Sequence, residues 1–317
     1  MRAVRVREFG GPEVLEVVEV AAPEAGVGDV VVGVDVAEVL FLDTQLRAGW
    51  GREYFALELP FVPGAGVAGV VRSVGAGVDA GWIGKPVIAG TGGVGTYNGG
   101  GYAEQAAVPA TEVFAVPDGV ELGVALAALH DGSTALAQLE RGKAAAGERV
   151  LVTAAAGSLG SWLVPLLSAT GTTVVAAARG EAKLQRAKEL GADEVVDYSA
   201  PDWAEGLEPV DVVFDGTGGA VGRAAYGITK SGGRFLGYGA ASGDFAAPAE
   251  ERDDVTLVGI FQPDPGEWRE LTRRALDALV QHRIAPTVGQ TFPLSEATAA
   301  HAAIEARRTV GKTLLRP

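Results

Sequence analysis

The sequence contains no cysteine, a single methionine and only three histidines in 317 residues. Without cysteine there is no disulfide, no thiolate metal site and no cysteine nucleophile. His130, His282 and His301 are scattered, and no pair has the spacing that metal ligation requires, so no metal site is expected. No uninterrupted apolar run approaches the ~20 residues of a membrane span. The opening MRAVRVREFG lacks the apolar stretch of a signal peptide and goes straight into strand-like alternation, so a soluble cytoplasmic protein is expected. Basic charge is also scarce. Lys and Arg number 26 against 40 Asp and Glu, giving a formal net charge of −14. Such a surface repels nucleic acid and anionic membranes, and an anionic ligand would need a local basic pocket.

What is present is enough apolar material for two packed domains: 48% of residues are of hydrophobic type and 21% are charged. The first part reads as β-rich. Val4 and Val6 alternate with arginines, Val30 to Val36 is a Val-rich strand, and Val67 to Val74 and Pro86 to Ala89 are short strands between glycine turns. From about residue 125 apolar strands alternate with helical segments, the signature of a parallel α/β sheet. Strands are expected at 149–154, 173–178, 194–197, 210–215, 234–237 and 255–260. A helix face is marked by Leu159, Trp162, Leu163, Leu166 and Leu167, and another helix runs from Glu181 to Leu190, closed by Gly191. Pro165 should bend or shorten the first of these. Trp268 to Val280 forms a long amphipathic helix. The tail from Pro286, with a strand, a helix over 296–308 and a strand over 312–315, is expected to rejoin the first domain.

The strongest motif is AAAGSLG at 154–160, set between a strand and a helix. Gly157 lets a phosphate approach the backbone, Gly160 lets the helix pack on the strand, and the helix start offers N–H groups and a positive dipole end to a pyrophosphate. Ala155 stands in the first glycine position, with Ser158 and Leu159 completing the turn. About twenty residues on, where an NAD enzyme places an acid for the ribose hydroxyls, the strand ends in Arg179. Arg179 with Lys183 and Tyr198 forms a basic pocket suited to a 2′-phosphate, so NADPH is the expected cofactor. The alternative is that Arg179 and Lys183 are solvated helix residues.

These motifs, with GGPEVLEV at 10–17, FLDTQLRAG at 41–49, PFVPGAGVAGVV at 60–71, GGYAEQAAVPA at 100–110, GSTALAQL at 132–139, KELGADEVVDY at 188–198 and DVVFDGTGG at 211–219, run in an order that resembles the zinc-free quinone oxidoreductase (zeta-crystallin-like) branch of the medium-chain dehydrogenase/reductase superfamily. The resemblance implies an α/β protein: a GroES-like β-rich catalytic domain over 1–124 and 285–317, and a Rossmann domain with a doubly wound parallel sheet over 125–284. It implies a substrate cleft between them and a homodimer paired through the strand at 255–260. It also places Thr134, Thr217, Tyr238, Gly239, Phe261, Gln262 and Arg307 at the cofactor. The zinc-dependent branch has a His-Glu pair where this chain has Ala65-Gly66, which implies catalysis without zinc. One departure stands out: the Gly-Val-Asn usual before the Asp-Thr segment is Glu38-Val39-Leu40 here.

In such an enzyme hydride passes from NADPH to a small conjugated carbonyl or quinone, and a side chain or water supplies a proton. Tyr54 and His130 are the candidate donors. Asp43 reads as a structural hydrogen-bond partner in its loop. Two other readings remain open: an enoyl-thioester reductase of a biosynthetic pathway, and a non-catalytic, crystallin-like NADPH-binding protein.

Overall fold

A computed structural model describes residues 1–52, 57–92, 100–245, 252–260, 263–281 and 284–317. The chain divides into two compact units, Met1–His130 with Thr287–Pro317, and Asp131–Pro286. The first begins with a β1 (Arg2–Val6) and β2 (Leu15–Glu19) antiparallel pair. There follow β3 (Asp29–Val39), α1 (Phe41–Ala48), β4 (Gly66–Val74), β5 (Pro86–Gly90), β6 (Gln105–Pro109), β7 (Val113–Ala115) and α2 (Leu122–Ala127). β3 and β4 approach closely because Gly69 has no side chain: a Cβ there would lie 1.9 Å from the Gly33 carbonyl oxygen.

The second unit comprises α3 (Ser133–Gly142), β8 (Arg149–Thr153), α4 (Gly160–Ser168), β9 (Thr173–Ala178), α5 (Glu181–Glu189) and β10 (Glu194–Asp197). It continues with β11 (Val210–Asp215), α6 (Gly219–Gly227), β12 (Thr229–Gly237), β13 (Thr256–Val258) and α7 (Pro265–Val280). Its six strands are parallel, in the order β10-β9-β8-β11-β12-β13. The chain winds outward in one direction from β8 and then in the other from β11, a doubly wound sheet whose order reverses between these two strands. Leu151, Val175, Val213 and Phe235 share its core, and the interior strands read as near-continuous apolar runs because helices cover both faces.

The tail adds β14 (Val288–Pro293), α8 (Ala297–Glu305) and β15 (Lys312–Arg316). β15 pairs antiparallel with β3 and parallel with β14, so the tail does rejoin the first unit, in a seven-stranded sheet.

β9, β10 and β11 match the sequence expectation residue for residue. β12 begins at Thr229 rather than Arg234, and β13 is cut to three residues at the sheet edge, where Leu257 stays exposed. Pro165 does not end α4, which runs on to Ser168. The proline sits in a helix only nine residues long and removes only the bond its N–H would give to Ser161.

Candidate dinucleotide site and a buried ionic cluster

The motif at 154–160 forms the turn from β8 into α4, at the point where strand order reverses. Ala154 takes a left-handed conformation, φ 52°, unusual for a residue with a Cβ. The Gly157 N–H donates to the Ala154 carbonyl at 2.8 Å, and Ala155 N–H to Ala177 O at 3.1 Å, which ties the turn to β9. A Cβ at residue 160 would lie 2.4 Å from the Ala155 carbonyl oxygen and 2.6 Å from that of Ala154, so the packing of helix against turn requires glycine. At Gly157 a Cβ would meet only the Ala154 oxygen, at 3.0 Å. The protein's own atoms hardly demand glycine there, which suits a position kept open for a ligand.

Two strands that the sheet places side by side, β8 and β11, are locked at their ends by Asp215. This fully buried carboxylate accepts the Thr153 hydroxyl at 2.5 Å and the Thr217 and Gly218 amides at 3.1 Å each. Burial raises its pKa, against these donors, which lower it. The loop after β12 joins the same knot. Tyr238 N–H donates to Asp215 O at 2.9 Å and its hydroxyl to Thr153 O at 3.4 Å, while a Cβ on Gly239 would lie 2.5 Å from Gly216 O. Burial pushes the Tyr238 phenol pKa up, and the nearby Asp215 and Tyr198 add to that. Ser158 and Thr217 each bury a hydroxyl oxygen with no partner among the described residues. Unsatisfied buried hydroxyls at a strand-to-helix turn are what a bound phosphate or ribose would satisfy, so the residues present fit a dinucleotide.

Arg179 follows β9 and is exposed; Lys183 lies one turn into α5. β9 and β10 run in register with Asp197 beside Ala178, so Tyr198 comes level with Arg179. Sequence reasoning placed no acid here, yet Asp197 adjoins the pocket. Its carboxylate accepts the Ser199 hydroxyl at 2.6 Å, the Ser199 amide at 2.8 Å and the Gly180 amide at 3.1 Å. The Ser199 hydroxyl leads in holding its pKa below the ordinary value, and the charge on Arg179 adds to the same shift. Thr134 is half-buried in the first turn of α3. Arg307 belongs to the other unit, where its guanidinium stacks 4.8 Å from the centroid of the Phe41 ring. Tyr54, Phe261 and Gln262 lie outside the described residues.

His130 sits in a π-helical turn, Ala128–Gly132, between α2 and α3. Its Nδ1 contacts Oε1 of Glu38, whose Oε2 receives Lys312 Nζ. Glu38 is fully buried and the Lys312 side chain is 1% exposed. Burial raises the Glu38 pKa, but the charges on His130 and Lys312 outweigh it and bring the value down to about 2. Close by, Asp43 caps α1 by accepting the Leu40 N–H at 2.8 Å, as its structural reading requires, and burial raises its pKa to about 7. The Tyr102 hydroxyl lies 3.0 Å from His301 Nε2 and 3.4 Å from Asp43. Burial, then the Arg47 charge, lowers the His301 pKa to about 3. Glu38 in place of the usual glycine is the one local sign of this cluster, and nothing in residue spacing links positions 38, 130 and 312. Among the described residues no group of three or more His, Asp or Glu side chains could hold a metal ion, and no helix is long and apolar enough to cross a membrane.

Comparison with known proteins adds to this geometry. A family model described as "Alcohol dehydrogenase GroES-like domain" matches residues 26–118, and one described as "Zinc-binding dehydrogenase" matches residues 190–315. A 2-haloacrylate reductase from Burkholderia is 33% identical over 99% of this chain and 98% of its own length. A probable quinone oxidoreductase from Schizosaccharomyces pombe is 30% identical over 98% of this chain and 96% of its own. Among solved structures, a mycobacterial protein complexed with NADPH is similar with a TM-score of 0.86 and 31% identity, covering the whole of both chains.

Proposed function

This chain belongs to the zinc-free quinone oxidoreductase branch of the medium-chain dehydrogenase/reductase superfamily, and from that membership we propose that it uses NADPH to reduce a quinone or an α,β-unsaturated carbonyl, without a metal. The observation that carries this reading is the turn at 154–160, with the unpaired hydroxyls of Ser158 and Thr217 beside it at the switch point of the sheet. Bound there, NADPH supplies the hydride. The backbone around Gly157 and the start of α4 receive the pyrophosphate, and Thr134, Tyr238 and Gly239 line the cofactor. Phe261, Gln262 and Arg307 belong to the same proposed set. The proton donor is His130 or Tyr54. The names of two relatives point one way chemically. A 2-haloacrylate and a quinone both present an electrophilic carbon conjugated to a group that can take up negative charge. Ala65-Gly66 and the absence of cysteine support chemistry without zinc.

Steady-state oxidation of NADPH with a panel of quinones, enones and 2-haloacrylates tests the reading. Turnover with at least one class is expected; a chain that binds NADPH and turns over none of them would be left as a binding protein.

The choice of NADPH over NADH rests on Arg179, Lys183 and Tyr198 at the adjoining ends of β9 and β10. Asp197 is a weaker competitor for the ribose, because it already accepts two hydrogen bonds from Ser199 in its own loop and one from the Gly180 amide in the turn after β9. Arg179→Ala should therefore weaken NADPH binding roughly tenfold, the worth of one charge-assisted hydrogen bond, and leave NADH nearly unchanged. Equal weakening of both coenzymes in a fluorescence titration would contradict the assignment.

A further inference from the structure

We propose that Glu38 and Lys312 are a positioning pair for His130, which donates a proton from Nε2 to the reduced acceptor; the inference rests on the oxidoreductase reading above. Two segments remote in sequence, the π-helical turn and β15, converge on one carboxylate carried by β3. Glu38 and Lys312 are sealed from solvent, whereas the His130 side chain keeps 23% exposure. An ion pair serving only to join β3 to β15 would need no third member on a partly exposed turn. Apolar residues would also fill this end of β3 at lower cost, since Ala37 and Val39 beside Glu38 are buried as well. π-helical turns concentrate where function sets the backbone.

The geometry divides the labour. Lys312 keeps Glu38 ionised, so Glu38 accepts a hydrogen bond instead of giving a proton away. His130 Nδ1–H is committed to that carboxylate, and proton exchange falls to Nε2, the other ring nitrogen. Among the described residues, Asp43 on α1 interacts electrostatically with all three, and Asp131 follows His130 in the chain. In the reaction the acceptor carbon or oxygen gains hydride and leaves an oxyanion conjugated to it. The Nε2–H bond of protonated His130 breaks as the new O–H or C–H bond forms. His130 is left neutral, with its proton on Nδ1, and regains the other from water.

The test compares wild type, His130→Gln, Glu38→Gln and the charge-balanced Glu38→Gln/Lys312→Met, with NADPH titration to confirm that each folds. Wild-type kcat should be flat at low pH and fall on the alkaline side as His130 loses its proton. His130→Gln should lower kcat about 100-fold, abolish that limb and leave KM within threefold. Both Glu38 variants should move the limb to lower pH by about one unit, because they remove the carboxylate that favours the imidazolium; the double variant carries the result if the single one fails to fold. Nitrogen-15 NMR of the imidazole needs no turnover: neutral His130 should carry its proton on Nδ1 in wild type and lose that preference in the double variant. An active wild type whose His130→Gln variant keeps its kcat and pH limb would overturn the proposal while leaving the oxidoreductase reading intact. A neutral His130 protonated on Nε2 would also overturn it. A wild type inert across the acceptor panel would fail the oxidoreductase reading itself.

Discussion

Gly160→Val should weaken NADPH binding more than 100-fold and lower the thermal midpoint, whereas Gly157→Ala should weaken binding with little change in stability. The two glycines are three residues apart in one turn, yet the structure gives them different burdens. A Cβ at residue 160 would stand 2.4 Å from one backbone carbonyl and 2.6 Å from another, inside any real contact distance. Neither oxygen can swing aside as a side chain would. Ala155 is tied to β9 by its N–H, so α4 must lift away from the turn. That shift displaces the helix start from the pyrophosphate, and overpacking of this kind costs about 1–3 kcal/mol in stability. At Gly157 the one contact is 3.0 Å from the Ala154 oxygen, which a small relaxation absorbs. The price of Gly157→Ala is therefore paid only when a phosphate tries to approach. Calorimetric titration with NADPH beside thermal unfolding separates the two. Wild-type affinity in Gly160→Val would rule out this turn as the cofactor site, and unchanged affinity in Gly157→Ala would mean that no ligand approaches the backbone there.

What the sequence disclosed and what it hid follow from how far apart the cooperating residues lie. β9, β10 and β11 are legible to the residue because each is a short Val-rich segment between polar or glycine-containing turns, and such signals are local. The turn at 154–160 was legible for the same reason: its chemistry sits in seven consecutive residues. β13 was overestimated because an edge strand has a neighbour on one side only, and the pattern Val-Thr-Leu-Val-Gly-Ile does not tell where pairing stops. The knot around Asp215 was hidden because Thr153 and Asp215 are 62 positions apart and meet only through the parallel pairing of β8 with β11. Asp197 escapes the motif because the motif places its acid at the end of the second Rossmann strand, while the sheet brings the third strand's terminus alongside. The Glu38 cluster was the least accessible of all. Lys312 reads as part of a closing strand, and only the pairing of β15 with β3 brings it to a carboxylate 274 positions away.

That distant pair sets the second large effect. Lys312→Met should destabilise the protein by about 3–5 kcal/mol at neutral pH, because removing one partner leaves a buried carboxylate with only one of its two counter-charges, that of the partly exposed His130. Replacing both residues, as Glu38→Leu/Lys312→Met, should recover most of the loss, since the double variant buries no orphaned charge there. The penalty also carries a pH signature whose sign is fixed. In the folded protein the Glu38 pKa lies near 2, below its ordinary 4.5, because His130 and Lys312 overcome the opposing effect of burial. A depressed carboxyl contributes stability that is fully present above pH 4.5 and is lost as pH falls through about 2. Lys312→Met gives up much of that depression. The stability gap between wild type and Lys312→Met should therefore be full near pH 6 and narrow as pH drops below 4.5. Acid effects at His301, whose stabilising contribution is lost between pH 6.5 and about 3, occur in both proteins and cancel in the difference. Denaturant unfolding of the two proteins at pH 6, 5, 4 and 3 measures it. A gap under about 1 kcal/mol at pH 6, within the range of an exposed ion pair, or one that stays constant down to pH 3, would mean that Lys312 does not hold the Glu38 carboxylate ionised.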